Sequence, residues 1–251
     1  MKEIHLRYPG NFGAPGVSRS EKRKRTSDEI AKQNESNRIR KLQRLILANF
    51  VPGESYHLTL NYRAGDRPET AKHAKKMLAK FLSRMRQDLK AAGQTFRWIA
   101  VTEYGKKGQA LHHHLIVEDI NGIQKMVKKN WKWGGTFWSD TYEDGEMEQL
   151  AAYMVKKETK EKAGEPIKGC RYTHSRGNLK MPEPEREVMR RRRWPDEPKV
   201  PKGWELIKGS LYDGVNPATG YPYREYRIRR MKGGDKYARD YLYRDKPKRA
   251  G

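Results

Sequence analysis

Cysteine is nearly absent from the sequence, since Cys170 is the only one among 251 residues. One thiol cannot form an intrachain disulfide, and it cannot supply the set of thiolates that a cysteine-based zinc finger requires. The sequence also lacks the Gly-x-x-x-x-Gly-Lys-Ser/Thr motif that binds nucleoside triphosphates. We therefore predict no zinc finger of this type and no helicase domain.

Long apolar segments are missing as well. The first ten residues, MKEIHLRYPG, contain no apolar stretch like that of a secretion signal, and no later stretch approaches the length of a membrane span. Only 35% of the residues are hydrophobic, which favours one compact core with polar flanks over two full domains. These features predict a soluble, cytoplasmic protein without a membrane partner.

Acidic residues are outnumbered in the sequence. It has 55 Lys and Arg against 31 Asp and Glu, a formal net charge of +24. A chain this basic repels itself until an anion neutralises it, and the usual partner is the phosphate backbone of nucleic acid. On charge alone, a ribosome-like RNA binder and a merely basic protein are both alternatives to an enzyme.

The periodicity of apolar residues predicts the order of the secondary structure elements. Residues 1 to about 27 resemble a basic arm without such periodicity. The elements predicted after the arm are a helix that stops at Pro52-Gly53, a strand at 56–62, a helix from Pro68 to Gly93, strands at 96–104 and 109–118, a helix at 122–131, a strand at 136–139, and a helix from 146 to about 162.

The fold class follows from this order. Its central part reads β-α-β-β-α-β, which predicts an α+β fold with a central antiparallel sheet of ferredoxin-like, split β-α-β type. We expect the helices on one face of the sheet and a ligand on the other. The chain is expected to divide into a basic N-terminal arm and helix (1–52), a catalytic domain (53–165) and a basic C-terminal extension (166–251).

Three consecutive histidines occupy the second strand of the predicted hairpin. Side chains alternate between the faces of a strand, so His112 and His114 share one face, while His113 points to the apolar side with the helices. Glu103 alternates onto the ligand face of the preceding strand, where it can lie beside His112. Two imidazoles and a carboxylate can hold one Mg²⁺ or Mn²⁺ with coordination positions left open. By themselves, adjacent histidines are equally well explained as a surface or core cluster.

Two other groups gain meaning from their position relative to this cluster. His57, Thr59 and Asn61 share one face of the first strand, and they are candidates for supporting the metal ligands if that face meets the site. Tyr153 lies on the last predicted helix, and Lys156 shares its helix face. A lysine and a metal would make attack on a phosphodiester feasible for a phenol whose ordinary pKa is about 10. Alone, Tyr-x-x-Lys is usually a solvated helix face.

Together these segments resemble a known family. In order, they are Leu58-Thr59-Leu60, Glu103 with His112-His113-His114, and Tyr153-Met154-Val155-Lys156. They resemble the three ordered motifs of the HUH endonuclease superfamily over roughly residues 55–160. The tyrosine follows the histidines, as it does in the rolling-circle replication initiators (Rep proteins) of plasmids and small phages, whereas in mobilisation relaxases it precedes them.

The resemblance implies an activity and a set of site residues. Such enzymes nick single-stranded DNA: the tyrosine attacks the scissile phosphate, keeps the 5′ end and frees a 3′-OH, and the strands can later be rejoined without ATP. By resemblance, Tyr153 is the nucleophile, Lys156 contacts the phosphate or the metal shell, and Glu103, His112 and His114 bind one divalent metal. The implied partners are single-stranded or hairpin origin DNA and a host helicase and polymerase.

The sequence departs from the family pattern in three ways. The residue between the two ligand histidines is normally apolar, so a ligand set that includes His113 stays open. Lys157 also shares a helix face with Tyr153 and could replace Lys156. Because the motif has one tyrosine, the cycle must end through a second subunit, as in a dimer on DNA, or through an activated water.

The C-terminal extension adds candidate DNA contacts. Arg176 lies in the segment 172–182, which is similar to a Ser-Arg-Asn-Leu…Pro stretch of such initiators, although a plain loop arginine is as good an interpretation. Two short strands are expected at 203–210 and 223–230. A basic helix predicted at 183–193 carries four further candidates, which a solvated helix face explains equally well: Arg190, Arg191, Arg192 and Arg193.

Three alternative functions stay open at the level of sequence. A transposase or relaxase relative would use the same catalytic step. A non-catalytic nucleic-acid-binding protein would explain the charge but leave Glu103, His112 and His114 a coincidence. A non-haem iron oxygenase also uses two histidines and a carboxylate, although the net charge and the order of elements argue against it.

Overall fold

The computed structural model describes residues 1–8, 16–22, 24–105, 110–141, 147–155, 172–189 and 193–231. The strands in this part of the chain are β1 (Lys2–Arg7), β2 (Ser55–Asn61), β3 (Trp98–Tyr104), β4 (Leu111–Glu118), β5 (Thr136–Asp140), β6 (Thr173–His174), β7 (Trp204–Leu206), β8 (Tyr212–Val215) and β9 (Pro222–Arg230). The helices are α1 (Ser27–Asn49), α2 (Ala71–Ala91), α3 (Ile123–Asn130) and α4 (Glu148–Val155), with a 3₁₀ turn at Ala64–Asp66. None of these helices is long and apolar enough to cross a membrane.

The chain divides into two compact units. The central unit is Ser36–Pro182, and the terminal unit combines Met1–Glu35 with Glu183–Gly251. Each unit contains one antiparallel sheet, so the described residues form a mixed α+β structure.

The central unit is built on a sheet with the strand order β5-β2-β4-β3-β6. All neighbouring strands are antiparallel. Because β4 lies in the middle, its histidines are flanked by β2 on one side and by β3 on the other. Thr59 of β2 pairs with His114, and Glu103 of β3 pairs with His112.

One face of this sheet packs against α2 and α3. Strand residues such as Leu58 and Leu115 form a core cluster with a buried stripe of α2. Full burial of each large side chain contributes about 1.5–3 kcal/mol, which explains why this stripe folds as a helix on the sheet. The stripe comprises Ala74, Met77, Leu78, Phe81, Leu82, Met85 and Leu89.

The opposite face also carries helices, so the prediction of helices on one face alone was wrong. Ile99, Val101 and Ile116 alternate onto this second face and are buried there. Such apolar positions require a cover, and α1 and α4 provide it. The helical residues in this second core cluster include Leu42, Leu45, Ile46 and Phe50 of α1 and Leu150, Ala151, Met154 and Val155 of α4.

The predicted elements of the central unit are confirmed within a few residues. α2 begins at Ala71 rather than at Pro68, because the side chain of Thr70 caps it by accepting a hydrogen bond from the His73 N–H at 3.2 Å. It ends, as predicted, before Gly93, which has a positive φ of 69°. The predicted hairpin turn at 105–108 and the predicted helix beyond Val155 extend outside the described residues.

The terminal unit contains the second sheet, in which β9 pairs with β1, β7 and β8. Part of the predicted arm is therefore a strand, since β1 pairs along β9 from Lys2 opposite Ile228 to Arg7 opposite Tyr223. Sequence patterns missed β1 because its pairing partner lies at the far end of the chain. The turn predicted at 216–220 is confirmed between β8 and β9, and the strand predicted at 203–210 is shortened to β7.

The helix predicted at 183–193 is not found. Residues 183–189 have no regular secondary structure, and 190–192 lie outside the described residues. Pro184 lacks a backbone N–H donor, and the segment has no apolar stripe to bury, since Val188 is 96% exposed. Without a buried face, helical propensity alone does not hold a short helix.

Candidate active site

The register of β3 and β4 brings the three predicted ligands together. Glu103 lies directly opposite His112, and His114 follows His112 on the same face of β4. Glu103 Oε1 lies 3.1 Å from His112 Nε2 and 3.0 Å from His114 Nε2. One ligand atom of each residue lies within 4.8 Å of the others, so the group could hold a metal ion.

Neighbouring groups orient both imidazoles toward this point. His114 Nδ1 lies 3.1 Å from the hydroxyl oxygen of Thr59. His112 Nδ1 lies 3.4 Å from the carbonyl oxygen of Ala110, which can only accept a proton. Fixing Nδ1 in this way leaves Nε2 as the ligand atom, an arrangement that is usual for metal-bound histidine.

The charge of Glu103 suits a cation. Burial raises the pKa of Glu103, but hydrogen bonds from His112 and His114 and the charges of the two rings outweigh burial and hold the pKa far below its ordinary value. The carboxylate is therefore ionised. Two imidazole nitrogens and one anionic oxygen fit a divalent cation and leave coordination positions open for water or a phosphate oxygen.

Tyr153 on α4 reaches the same point. Its hydroxyl donates to Glu103 Oε1 at 3.0 Å and lies 3.0 Å from His114 Nε2. Neighbouring residues of α4 bury their side chains against the sheet, whereas Tyr153 is 38% exposed. The phenol is therefore held beside the candidate metal ligands and remains accessible from solvent.

The surroundings of Tyr153 keep its hydroxyl protonated. Burial, followed by the negative charge of Glu103 and the hydrogen bond to it, raises the pKa of Tyr153 to about 12. A cation bound at Glu103 would offset the carboxylate charge and lower this pKa. The ease of deprotonating Tyr153 is thus coupled to occupancy of the metal position.

The three residues predicted to support the ligands are placed differently around them. Thr59 contacts His114 directly. His57 stacks on His114 with ring centroids 5.1 Å apart, and among the described residues its buried Nε2 has no hydrogen-bond partner. Burial, with a smaller effect from the charge of His114, lowers the pKa of His57 to about 4. Asn61 lies opposite His112 in the strand register and is exposed.

His113 is engaged on the other side of the sheet. It is fully buried, with Nε2 2.6 Å from the Tyr62 hydroxyl and Nδ1 2.9 Å from the Thr102 hydroxyl. Burial, followed by the charges of the neighbouring histidines, lowers its pKa to about 3. His113 is therefore a neutral core residue whose nitrogens point away from Glu103.

The predicted DNA contacts are only partly described. Arg176 is exposed, in a segment whose backbone attaches to the edge of the sheet through Ser175 N, which donates to the Trp98 carbonyl at 3.0 Å. In the terminal unit, Arg193 is exposed and its Nη2 donates to the Gly16 carbonyl at 3.4 Å. The remaining candidates lie outside the described residues: Lys156, Lys157, Arg190, Arg191 and Arg192.

Sequence patterns missed one side chain on the site face. Phe137 of β5 lies opposite Thr59 and is 64% exposed. The period-two pattern of the strand offered a signal, because Trp138 faces the core and its neighbour must therefore face the site. Without the strand order, nothing connected β5 to the histidines.

Comparison with known proteins supports a role in replication. A family model described as a replication-associated protein of the ORF2 type matches residues 55–162. No curated protein matches the chain. The matched range is less than half of the chain, but it runs from β2 to just beyond α4 and contains the Glu103–His112–His114 group and Tyr153. This similarity suggests a replication initiator that interacts with DNA.

Proposed function

We propose that this protein is a metal-dependent nickase and strand transferase of the HUH type that initiates rolling-circle replication. The observation that carries this proposal is the position of the Tyr153 hydroxyl, 3.0 Å from both Glu103 Oε1 and His114 Nε2. Two of the three candidate metal ligands thus contact the one residue that the family resemblance assigns as the nucleophile. A nucleic-acid-binding protein without catalysis has no need of this arrangement.

In the proposed reaction Tyr153 Oη attacks the scissile phosphorus. The Oη–P bond forms and the bond from phosphorus to the 3′-oxygen breaks, which leaves a 5′-phosphotyrosine and a free 3′-OH. The phenol proton passes to solvent and the departing oxygen takes one from solvent, so the step is balanced. The energy of the broken bond is kept in the new ester, and a 3′-OH can reverse the step without ATP.

Glu103, His112 and His114 would hold the divalent metal, Mg²⁺ or Mn²⁺. A bound cation polarises a phosphate oxygen and stabilises negative charge that develops on it. Thr59 and the Ala110 carbonyl fix the imidazoles, so that the ligands need no rearrangement when the substrate arrives. Glu103 also fixes Tyr153 through the hydrogen bond to its hydroxyl, which keeps the nucleophile close to the scissile phosphate.

Three further observations support the proposal. The strand order β5-β2-β4-β3 corresponds to that of a ferredoxin-like, split β-α-β sheet, the plan expected from the resemblance. The family match covers the same elements. The net charge of +24 suits a partner with a phosphate backbone.

Other parts of the proposed cycle rest on the resemblance alone. Lys156 or Lys157 would contact the phosphate, and Arg176 and the arginines at 190–193 would contact the DNA backbone. The substrate would be single-stranded or hairpin origin DNA of a plasmid or phage, with a host helicase and polymerase completing replication. A second subunit or an activated water would close the cycle.

The test is a cleavage assay on single-stranded DNA. The protein is incubated with a pool of end-labelled oligonucleotides and Mn²⁺, and the products are separated on a denaturing gel. We expect discrete cleavage products that disappear when EDTA removes the metal. Tight, salt-sensitive binding without cleavage of any pool member would contradict the proposal and leave a basic nucleic-acid-binding protein.

A further inference from the structure

An exposed aromatic side chain lies on the same sheet face as the candidate active site. Phe137 belongs to β5, the edge strand of the central sheet, and is 64% exposed. Its neighbour Trp138 points to the opposite face, where it packs edge-on against Tyr56 with ring centroids 5.3 Å apart. No ring contact or cation–π contact involves Phe137 among the described residues. The core therefore accounts for Trp138 but not for Phe137.

The strand register connects Phe137 to the proposed metal ligands. Phe137 lies opposite Thr59 of β2, and Thr59 lies opposite His114 of β4. Residues that are directly paired in an antiparallel sheet share a face. Phe137, Thr59 and His114 therefore form one row across three strands, and strand spacing puts Phe137 about 10 Å from His114.

Only part of this sheet face is covered. The residues of β3 and β4 that pack against α1 and α4 are Ile99, Val101 and Ile116. On β2 and β5 the same face carries Asn61 and Phe137, which are both exposed. A strand of nucleic acid whose scissile phosphate lies at the metal position can therefore continue over this open part of the face.

We propose that Phe137 is a base-stacking subsite for single-stranded DNA. This inference rests on the proposed function, because the metal position fixes where the scissile phosphate lies. The chain's phosphate contacts would be made at the metal position, and the ring of Phe137 would stack on the base of a nearby nucleotide. An isolated exposed aromatic residue is common on protein surfaces, but this one lies in register with a candidate metal ligand. Stacking of one base on an aromatic side chain contributes roughly 1–3 kcal/mol and tolerates any sequence.

The first test measures the affinity for single-stranded DNA by fluorescence anisotropy. All proteins carry Tyr153→Phe, so that the DNA stays intact in the presence of Mg²⁺. We expect Phe137→Ala to raise the Kd roughly fivefold to a hundredfold, which corresponds to the loss of one stacked base. Phe137→Trp should restore the affinity, because a larger ring also stacks.

The matched control is Leu211→Ala, which removes an exposed apolar side chain of the terminal unit. It should leave the Kd unchanged. Phe137 is exposed at a sheet edge, so its replacement should not unfold the protein, and thermal unfolding of each variant checks this. Unchanged DNA affinity in a folded Phe137→Ala variant would overturn the proposal.

The second test locates the stacked base. An abasic site is moved through the bound oligonucleotide, and the Kd is measured for the Phe137-containing protein and for Phe137→Ala. We expect one abasic position that weakens the first protein and has no further effect on the variant. Equal effects in both proteins at every position would overturn the subsite. A wild-type protein that binds DNA through Phe137 but never cleaves it would contradict the nickase alone, so the two failures are distinguishable.

Discussion

The hydroxyl of Tyr153 lies 3.0 Å from Nε2 of His114, although the two residues are 39 positions apart in the sequence. The contact depends on α4, which buries Leu150 and Met154 in the second core cluster and so holds Tyr153 at the edge of the sheet. The proposed nucleophile and the proposed metal ligand are therefore positioned by the same apolar packing. A substitution that loosens this packing should separate the two groups without touching either.

Removal of a candidate ligand should abolish tight metal binding. His114→Ala deletes one imidazole, and Glu103→Gln deletes the charge on which both histidines converge. We expect Mn²⁺ to raise the Tm of the wild-type protein, because a ligand that binds only the folded state stabilises it. Both variants should lose this shift.

His73→Ala is the control for this measurement, because His73 is an exposed histidine on α2, away from the sheet face. It should retain the full Mn²⁺-dependent shift in Tm. A shift of equal size in His114→Ala and in the wild type would show that the metal binds elsewhere.

Replacement of Thr59 tests whether the surroundings of the ligands matter. Thr59→Val keeps the shape of the side chain but removes the hydroxyl that holds His114 Nδ1 at 3.1 Å. Loss of such a partner typically lowers metal affinity by about 10- to 100-fold. Calorimetric titration with Mn²⁺ should show this loss. Unchanged affinity would mean that the strand alone orients His114.

His113 should make the stability of the central unit depend on pH. Its pKa is lowered to about 3, chiefly by burial. The unfolded chain takes up this proton near the ordinary histidine pKa of about 6.5, whereas the folded chain does not, so the free energy of unfolding falls as the pH drops below about 6.5. Between about pH 7.5 and about pH 5, this one group should cost about 2 kcal/mol.

His113→Leu isolates that contribution. At about pH 7.5 the variant should be less stable than the wild type by about 1–3 kcal/mol, because the Tyr62 and Thr102 hydroxyls lose their partner. At about pH 5 the difference should shrink by about 2 kcal/mol. His57, whose pKa is lowered to about 4, adds a pH dependence that both proteins share. Urea unfolding followed by tryptophan fluorescence measures these values, and parallel pH profiles would contradict the assignment.

Two adjacent glycines should differ sharply in their tolerance of alanine. A Cβ at Gly134 would overlap the backbone of Asn61, whereas a Cβ at Gly135 would meet no atom within 4 Å. We expect Gly134→Ala to lower the free energy of unfolding by about 1–3 kcal/mol, as overpacking does. Gly135→Ala should change it by less than about 0.5 kcal/mol. Similar stabilities for the two variants would contradict the close approach of β2 and the segment before β5.

The sequence predicted the site better than it predicted the packing around it. Alternation on one strand separates His112 and His114 from His113, and hairpin pairing brings Glu103 to His112, so local periodicity was enough for these residues. Periodicity did not reveal that the second face of the sheet is covered. Ile99 and Ile116 signal a buried face, but the helices that cover it are distant in sequence.

Elements without a local signal were the ones that sequence reasoning misjudged. β1 forms only because β9 provides a partner, and six residues carry too little pattern to predict a strand alone. The segment 183–189 has charged residues at helical spacing but nothing to bury, and it is not helical. Phe137 was missed because its importance depends on strand order, which places it in a row with Thr59 and His114.

The most direct test of the account is detection of the covalent bond to Tyr153. The protein is incubated with a cleavable single-stranded oligonucleotide and Mn²⁺, digested with protease, and analysed by mass spectrometry, with Tyr153→Phe and the exposed-tyrosine control Tyr212→Phe run in parallel. The account predicts a nucleotide adduct on the peptide that contains Tyr153, absent in Tyr153→Phe and unchanged in Tyr212→Phe, while Tyr153→Phe still binds DNA. Full cleavage by Tyr153→Phe, or an adduct on another residue, would contradict it.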